Sequence, residues 1–130
     1  MKNVIDAPFS SHFSAEWVDA WNAHDVERVL SHFRDDVKFT SPLAAKLIEG
    51  SDGTLCGKVE LRNYWLEGVK QNPDLKFTIE NVYTGIETIV INYRNQNGKL
   101  ANEVLTFKDG LIIEGHGTYL GQGDEDTFVE

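Results

Sequence analysis

Cysteine and basic residues are scarce in this chain of 130 residues. Cys56 is the only cysteine, so no internal disulfide can form and no cysteine spacing indicates a metal site. The 12 lysines and arginines are outnumbered by 21 acidic residues, which gives a net charge of −9. Because such a chain repels polyanions, nucleic acids and anionic membrane surfaces are excluded as its main partners.

Long apolar runs are also missing. No stretch approaches the roughly 20 apolar residues that span a bilayer, and the first 15 residues lack the pattern of a secretory signal. We therefore expect a cytoplasmic protein. Its length fits a single domain, residues 1–130, with one hydrophobic core. Residues 1–11 and the acidic residues 121–130 are expected to be loosely ordered tails.

The first half of the chain is patterned mainly as helices. Phe13, Trp17 and Trp21 recur every four residues, which predicts an amphipathic helix that begins near Ser14. Asp25 is placed to cap a second, short helix.

The next segments mix strand, loop and helix patterns. Residues 37–41 alternate and end at Pro42, which predicts a short strand. Residues 43–56 are expected to form an irregular excursion or a small hairpin. Helical spacing then returns at Gly57 and ends at Asn72-Pro73.

From residue 75 onward the pattern is that of antiparallel strands. Glycine-containing turns at residues 95–98 and 109–110 join the last three strands. The strand segments are 75–84, 86–94, 99–108 and 111–120. Helices followed by hairpin-linked strands predict an α+β domain with the helices packed on one face of a curved antiparallel sheet.

Glu103 is the most informative residue because it lies on the side of its predicted strand that carries the apolar residues. A three-residue loop with a left-handed Gly98 would pair it with Ile91. A similar loop at the next turn would pair it with Gly115, and the missing side chains of Gly115 and Gly117 would leave space for a ligand or water. Glu103 is then either an acid/base group kept neutral by its surroundings, or a structural carboxyl satisfied by an indole, a hydroxyl or water.

Aromatic side chains supply the other candidate site residues. They are either the lining of a pocket or ordinary core packing, because each ring buries a large apolar area. Ser41 and Tyr64 could add polar contacts at the mouth of the pocket. The candidate substrate-binding residues are Trp17, Trp21, Phe33, Phe39, Ser41, Tyr64, Trp65, Ile91, Tyr93 and Tyr119.

The order of several short segments resembles the nuclear transport factor 2-like superfamily, in its SnoaL-like branch. The segments are WVDAWNAHD, VERVLSHF, DDVKFTSPL, GKVELRNYW, DLKFTIENV and HGTYL, and the resemblance covers residues 12–120. It implies a cone-shaped, cystatin-like roll in which a curved antiparallel sheet wraps around N-terminal helices and encloses a pocket, commonly in a homodimer. Relatives include ketosteroid isomerases, polyketide cyclases, epoxide hydrolases, dehydratases and non-catalytic domains, so the fold alone does not imply one function.

Comparison with ketosteroid isomerase tests one specific activity. By this resemblance the general-base aspartate falls on Ser41, the oxyanion tyrosine on Trp17, and the protonated sheet acid on Glu103. A serine without a base cannot abstract a carbon-bound proton at neutral pH. The resemblance therefore retains only Glu103 and argues against steroid isomerisation by that mechanism.

Two functions remain open. The first is a domain that binds a small, largely apolar molecule in a hydrophobic cone pocket and performs isomerase, cyclase, dehydratase or epoxide hydrolase chemistry, with Glu103 as the catalytic residue and no cofactor or metal. The second is a non-catalytic homodimer with a filled cone. Its interface would be the outer sheet face, which carries Asn92, Asn102 and His116.

Overall fold

A computed structural model describes residues 3–121 of the chain. Most of the predicted acidic tail, from residue 122 on, lies outside the described residues. The helices are α1 (Ala7–Asn22), α2 (Val26–Leu30), α3 (Pro42–Leu47) and α4 (Gly57–Gln71). The strands are β1 (Phe33–Thr40), β2 (Thr54–Cys56), β3 (Thr78–Gly85), β4 (Thr88–Arg94), β5 (Leu100–Lys108) and β6 (Leu111–Tyr119).

The six strands form one curved, open sheet in the order β2-β1-β6-β5-β4-β3. Every neighbouring pair is antiparallel except β1 and β6, which run parallel. Helix α4 packs against β1, and α1 packs against α2 and β3. The predicted α+β class, with helices on one face of a curved sheet, is confirmed.

Helix α1 begins earlier than its sequence pattern predicted. The Asp6 side chain caps it by accepting a hydrogen bond from the Phe9 amide at 2.8 Å, and Pro8 lies in the first turn. The expected start near Ser14 and the expected loose segment 1–11 are therefore wrong from Ala7 onward. Asp25 caps α2 as predicted, through the Arg28 amide at 3.1 Å.

Residues 43–56 are more regular than predicted. Ser41 caps α3 by accepting a hydrogen bond from the Leu43 amide at 3.2 Å, with Pro42 at the first helical position. A serine followed by proline is a common helix start, so Pro42 both ends β1 and opens α3. Strand β2 then returns to pair with β1, with Thr40 opposite Thr54.

Glu103 belongs to two hairpins, and the predicted strand pairing is correct for the first and wrong for the second. Gly98 is left-handed with φ 77°, and Ile91 pairs with Glu103 as predicted. The β5–β6 turn has only two residues, Asp109 and Gly110, both with positive φ. A bulge after Thr106 then places Gly117, not Gly115, opposite Glu103. Because the shift is two residues, Glu103 keeps its predicted face.

Arg28 joins α2 to α1 through a forked ion pair. Its guanidinium donates two hydrogen bonds of 2.7 Å to Glu16 and one of 2.6 Å to Asp19. The hydrogen bond from Arg28 lowers the pKa of Glu16 from 4.5 to about 2.

Replacement of Glu16 by glutamine is expected to cost stability only where the carboxylate is ionised. Since the folded-state pKa is depressed, the pair stabilises the fold above pH 4.5, and this contribution is lost as the pH falls toward 2. The effect should be small because the pair is solvent-accessible. Urea denaturation of Glu16→Gln and the parent protein from pH 7 to pH 2 measures it. A stability difference that stays constant across this range would contradict the assignment.

Candidate functional site

Glu103 is completely buried on the inner face of the sheet. Its side chain is 0% exposed, and the residues opposite it are Ile91 on β4 and Gly117 on β6. Its chain neighbours Asn102 and Val104 point to the outer face and are more accessible. Removal of a carboxyl from water disfavours its ionised form unless polar partners compensate.

Two tyrosines lie next to Glu103 on the same face. Ala101, two residues before Glu103 on β5, is opposite both Tyr93 on β4 and Tyr119 on β6. Tyr93 and Tyr119 are therefore diagonal neighbours of Glu103, a separation of about 7 Å that long side chains can bridge. Phenolic hydroxyls can donate a hydrogen bond to a carboxyl or accept one from it.

Three hydroxyl groups meet where β1, α4 and β6 converge. The Ser41 hydroxyl lies 3.3 Å from the Tyr64 hydroxyl and 3.3 Å from the Tyr119 hydroxyl. Ser41 is 2% exposed and Tyr64 5% exposed. The three side chains come from distant parts of the chain, so the tertiary fold alone creates this cluster, which we call the hydroxyl cluster.

A groove of about 800 Å³ lies between α4 and the segment formed by α3, its following loop and β2. Tyr64 lines this groove and also belongs to the hydroxyl cluster. The other groove residues are Leu47, Ile48, Glu49, Gly50, Ser51, Thr54, Leu55, Cys56, Glu60, Asn63, Glu67, Gly68 and Gln71. Tyr64 thus connects a ligand-sized groove on the surface with buried polar groups near Glu103.

Most of the predicted pocket-lining aromatics form a packed core. The rings of Trp17 and Tyr93 lie 5.2 Å apart, and those of Trp21 and Trp65 lie 5.1 Å apart. All four side chains are 0% exposed, as is Ile91, and Phe33 and Phe39 are equally enclosed. These residues do not line the groove. The rings fill much of the inner space that the sequence pattern assigned to a pocket.

Three buried indole groups have unused hydrogen-bonding capacity. The Nε1 atoms of Trp17, Trp21 and Trp65 have no hydrogen-bond acceptor among the residues that the structure describes. Buried donors in native proteins usually find a partner in protein, water or ligand. These three donors lie within the packed core and outside the groove.

The space beside Gly115 is occupied rather than open. A Cβ atom at this position would lie 2.8 and 2.9 Å from carbons of the Phe39 ring and 3.2 Å from Leu105. Gly115 also pairs with Leu105 and not with Glu103. The prediction that Gly115 leaves room beside Glu103 is therefore wrong, because Phe39 from the parallel neighbour β1 packs into that room.

The outer face of the sheet carries the polar residues that the pattern placed there. Asn92 donates to Asn102 at 2.9 Å. His116 lies 2.6 Å from the Thr40 hydroxyl through Nδ1 and 2.8 Å from Glu114 through Nε2. These groups are partly accessible and lie on the opposite side of the sheet from Glu103.

Several groove residues were missed by the sequence analysis. Glu60, Asn63, Glu67 and Gln71 recur at helical spacing on one face of α4. This polar stripe is visible in the sequence, but such a stripe is usually a solvated helix face. Only the unpredicted α3 and β2 turn it into the wall of a groove.

Within residues 3–121, no cluster of three or more His, Cys, Asp or Glu side chains could hold a metal ion. In the same part of the chain, no helix combines the length and apolar character required to cross a membrane.

The protein has the fold of nuclear transport factor 2-like and cystatin-like structures. The profile of the SnoaL-like domain family matches residues 15–115. The chain belongs to this family. None of the curated proteins compared with the chain matches it.

Solved structures with the same fold include a SnoaL-like protein of unknown function from Burkholderia thailandensis. It shares 36% sequence identity at a TM-score of 0.87, over 92% of this chain and 100% of that one. A protein of unknown function with a cystatin-like fold from Methylobium petroleophilum is 16% identical at a TM-score of 0.71, over 96% and 84% of the two chains. TerC, co-crystallised with polyporic acid, is 15% identical at a TM-score of 0.69, over 85% and 91%.

Proposed function

We propose that this SnoaL-like protein binds a small, largely apolar molecule at the groove beside Tyr64 and transfers a proton to or from it with Glu103. The observation that carries the proposal is the hydroxyl cluster. Tyr64 lines the groove, Ser41 lies 3.3 Å from both Tyr64 and Tyr119, and Tyr119 is a diagonal neighbour of the buried Glu103. A hydroxyl chain of this kind can relay a proton, since each hydroxyl accepts one and donates one.

The chemistry suited to this arrangement is general acid/base catalysis. A neutral carboxyl can supply a proton to an oxygen that gains negative charge and recover it in a later step. Isomerisation, aldol-type cyclisation, dehydration and epoxide opening all use such a step. TerC, which shares the fold, was crystallised with a small organic molecule.

Glu103→Gln is expected to weaken ligand binding about tenfold while the fold stays intact. Glutamine keeps the shape of the side chain but cannot exchange the carboxyl proton, and a tenfold loss corresponds to about 1.4 kcal/mol, the size of one good hydrogen bond. The probe is 1-naphthol, an apolar body with one hydroxyl. Titrations followed by amide NMR shifts of Leu55, Asn63 and Gly68, which line the groove, give its Kd.

Glu80→Gln is the matched control for this experiment. It makes the same chemical change on a strand of the same sheet, but Glu80 is exposed and lies outside the groove. Tyr64→Phe, which removes the first hydroxyl of the cluster, should weaken binding like Glu103→Gln. Equal affinities in the parent protein, Glu80→Gln and Glu103→Gln would remove Glu103 from the site.

A non-catalytic homodimer is the second candidate function. It is favoured by the packed rings of Trp17, Trp21, Trp65 and Tyr93, which fill the interior. Its interface would be the outer sheet face with Asn92, Asn102 and His116. Unchanged naphthol binding in Glu103→Gln, together with a stable dimer in sedimentation equilibrium, would favour this second function over the first.

A further inference from the structure

We infer that the groove selects ligands that carry a positive charge, and specifically an amine attached to an apolar body. The inference rests on the proposed function, because it takes the groove beside Tyr64 as the ligand site. It adds the chemical class of the ligand, which follows from the charges and the apolar surface of the groove.

The charged side chains of the groove all have the same sign. Glu49, Glu60 and Glu67 line it, and none of the described lining residues is a lysine, arginine or histidine. Clefts lined by charges of one sign concentrate ligands of the opposite sign. The net charge of −9 on the whole chain adds to this field.

Two of these carboxylates are held in place on one wall. Glu60 and Glu67 lie seven residues apart on α4, so they project from the same helix face two turns apart. Glu60 accepts a hydrogen bond of 2.9 Å from the Cys56 amide through Oε1, and Glu67 accepts one of 2.8 Å from Gln71 through Oε2. Each bond involves one of the two carboxylate oxygens, so the anchored group can also accept a bond from an ammonium N–H.

The groove also has apolar surface and room for a small molecule. Its apolar lining comes from Leu47, Ile48, Leu55 and the ring of Tyr64. The volume of about 800 Å³ is within the range of small-molecule sites. An aromatic ring also attracts a cation through its face. An organic amine can contact the apolar residues, the aromatic ring and the carboxylates together. A bare metal ion would use only the carboxylates.

Three probes of the same shape test the selection. The probes are 1-naphthylmethylamine, which is cationic at pH 7, neutral 1-naphthalenemethanol, and anionic 1-naphthoate. We expect the amine to bind at least tenfold more tightly than the alcohol at low ionic strength and the carboxylate to bind most weakly. The advantage of the amine should shrink in 0.5 M salt, because exposed charges are then screened. Affinities come from the amide shifts of Leu55, Asn63 and Gly68.

Matched variants assign the charge preference to the groove. Glu60→Gln and Glu67→Gln, each alone and then combined, should reduce amine affinity several-fold without changing alcohol affinity. Glu80→Gln, outside the groove, should retain the full preference. Glutamine keeps an oxygen to accept the bonds from Cys56 and Gln71, and the melting temperature of each single variant checks that α4 stays folded.

Each contrary outcome has a distinct meaning. Equal binding of amine and alcohol with shifts at the groove overturns the charge selection and leaves the proposed ligand groove standing. A preference that survives in both glutamine variants overturns it as well, because the net charge of the chain would then be sufficient. No groove shift with any of these probes or with 1-naphthol overturns both proposals.

Discussion

Truncation of Trp65 to alanine is expected to lower the free energy of unfolding by about 3–5 kcal/mol. Trp65 on α4 is 0% exposed. Its ring meets Trp21 of α1 at 5.1 Å and Phe33 and Phe39 of β1 at 5.3 and 5.4 Å, each nearly edge-on. Removal of the indole would therefore leave a cavity where α1, α4 and β1 meet, and the surrounding rings cannot all move to fill it.

Urea denaturation of Trp65→Ala against the parent protein measures this loss. Leu66→Ala is the control, since Leu66 is the next residue on the same helix but is 48% exposed. Its cost should be within about 1 kcal/mol of zero. Similar losses for the two variants would show that the aromatic contacts of Trp65 contribute little beyond helix propensity.

The second large effect is expected from Gly115→Ala. The new Cβ atom would lie 2.8 Å from the Phe39 ring and 3.2 Å from Leu105. Phe39 is fully buried and is backed by Trp65 at 5.4 Å, so it has little room to withdraw. We expect a loss of about 1–3 kcal/mol, which is typical of an overpacked core.

Gly85→Ala is a matched control for this substitution. Gly85 also lies in a strand, and its nearest contact for an added Cβ is an ordinary 3.9 Å to Thr88. The Gly85 variant should be neutral or slightly more stable, because alanine reduces the entropy of the unfolded chain. Phe39→Leu should recover part of the loss in the Gly115→Ala background through non-additivity. Equal stability of the two alanine variants would contradict the packing of Phe39 against Gly115.

Patterns of neighbouring residues in the sequence were sufficient to predict much of the fold. The four-residue recurrence of Phe13, Trp17 and Trp21 predicted the buried stripe of α1. A left-handed Gly98 predicted the β4–β5 register and hence the pairing of Ile91 with Glu103. These predictions succeeded because periodicity and turn chemistry are properties of neighbouring residues.

The candidate site was only partly predictable, because its residues are far apart in the sequence. Ser41 and Tyr64 were both named as polar groups near the pocket, but their meeting with Tyr119 depends on contacts 78 residues apart in the chain. The groove depends on α3, but the alternation that ends at Ser41-Pro42 predicts only the end of a strand there. Glu60 and Glu67 of the groove follow the pattern of a solvated helix face.

By itself, the sequence determined the types of the longer helices and strands, the inward side of Glu103 and the α+β class, because each follows from side-chain periodicity along a short segment. The tertiary structure decided which distant residues meet. The parallel pairing of β1 with β6 brings Phe39 onto Gly115 and fills the space that the sequence pattern left open at that glycine. Close packing of side chains from separate elements, and not any local pattern, leaves the ligand-sized groove beside Tyr64.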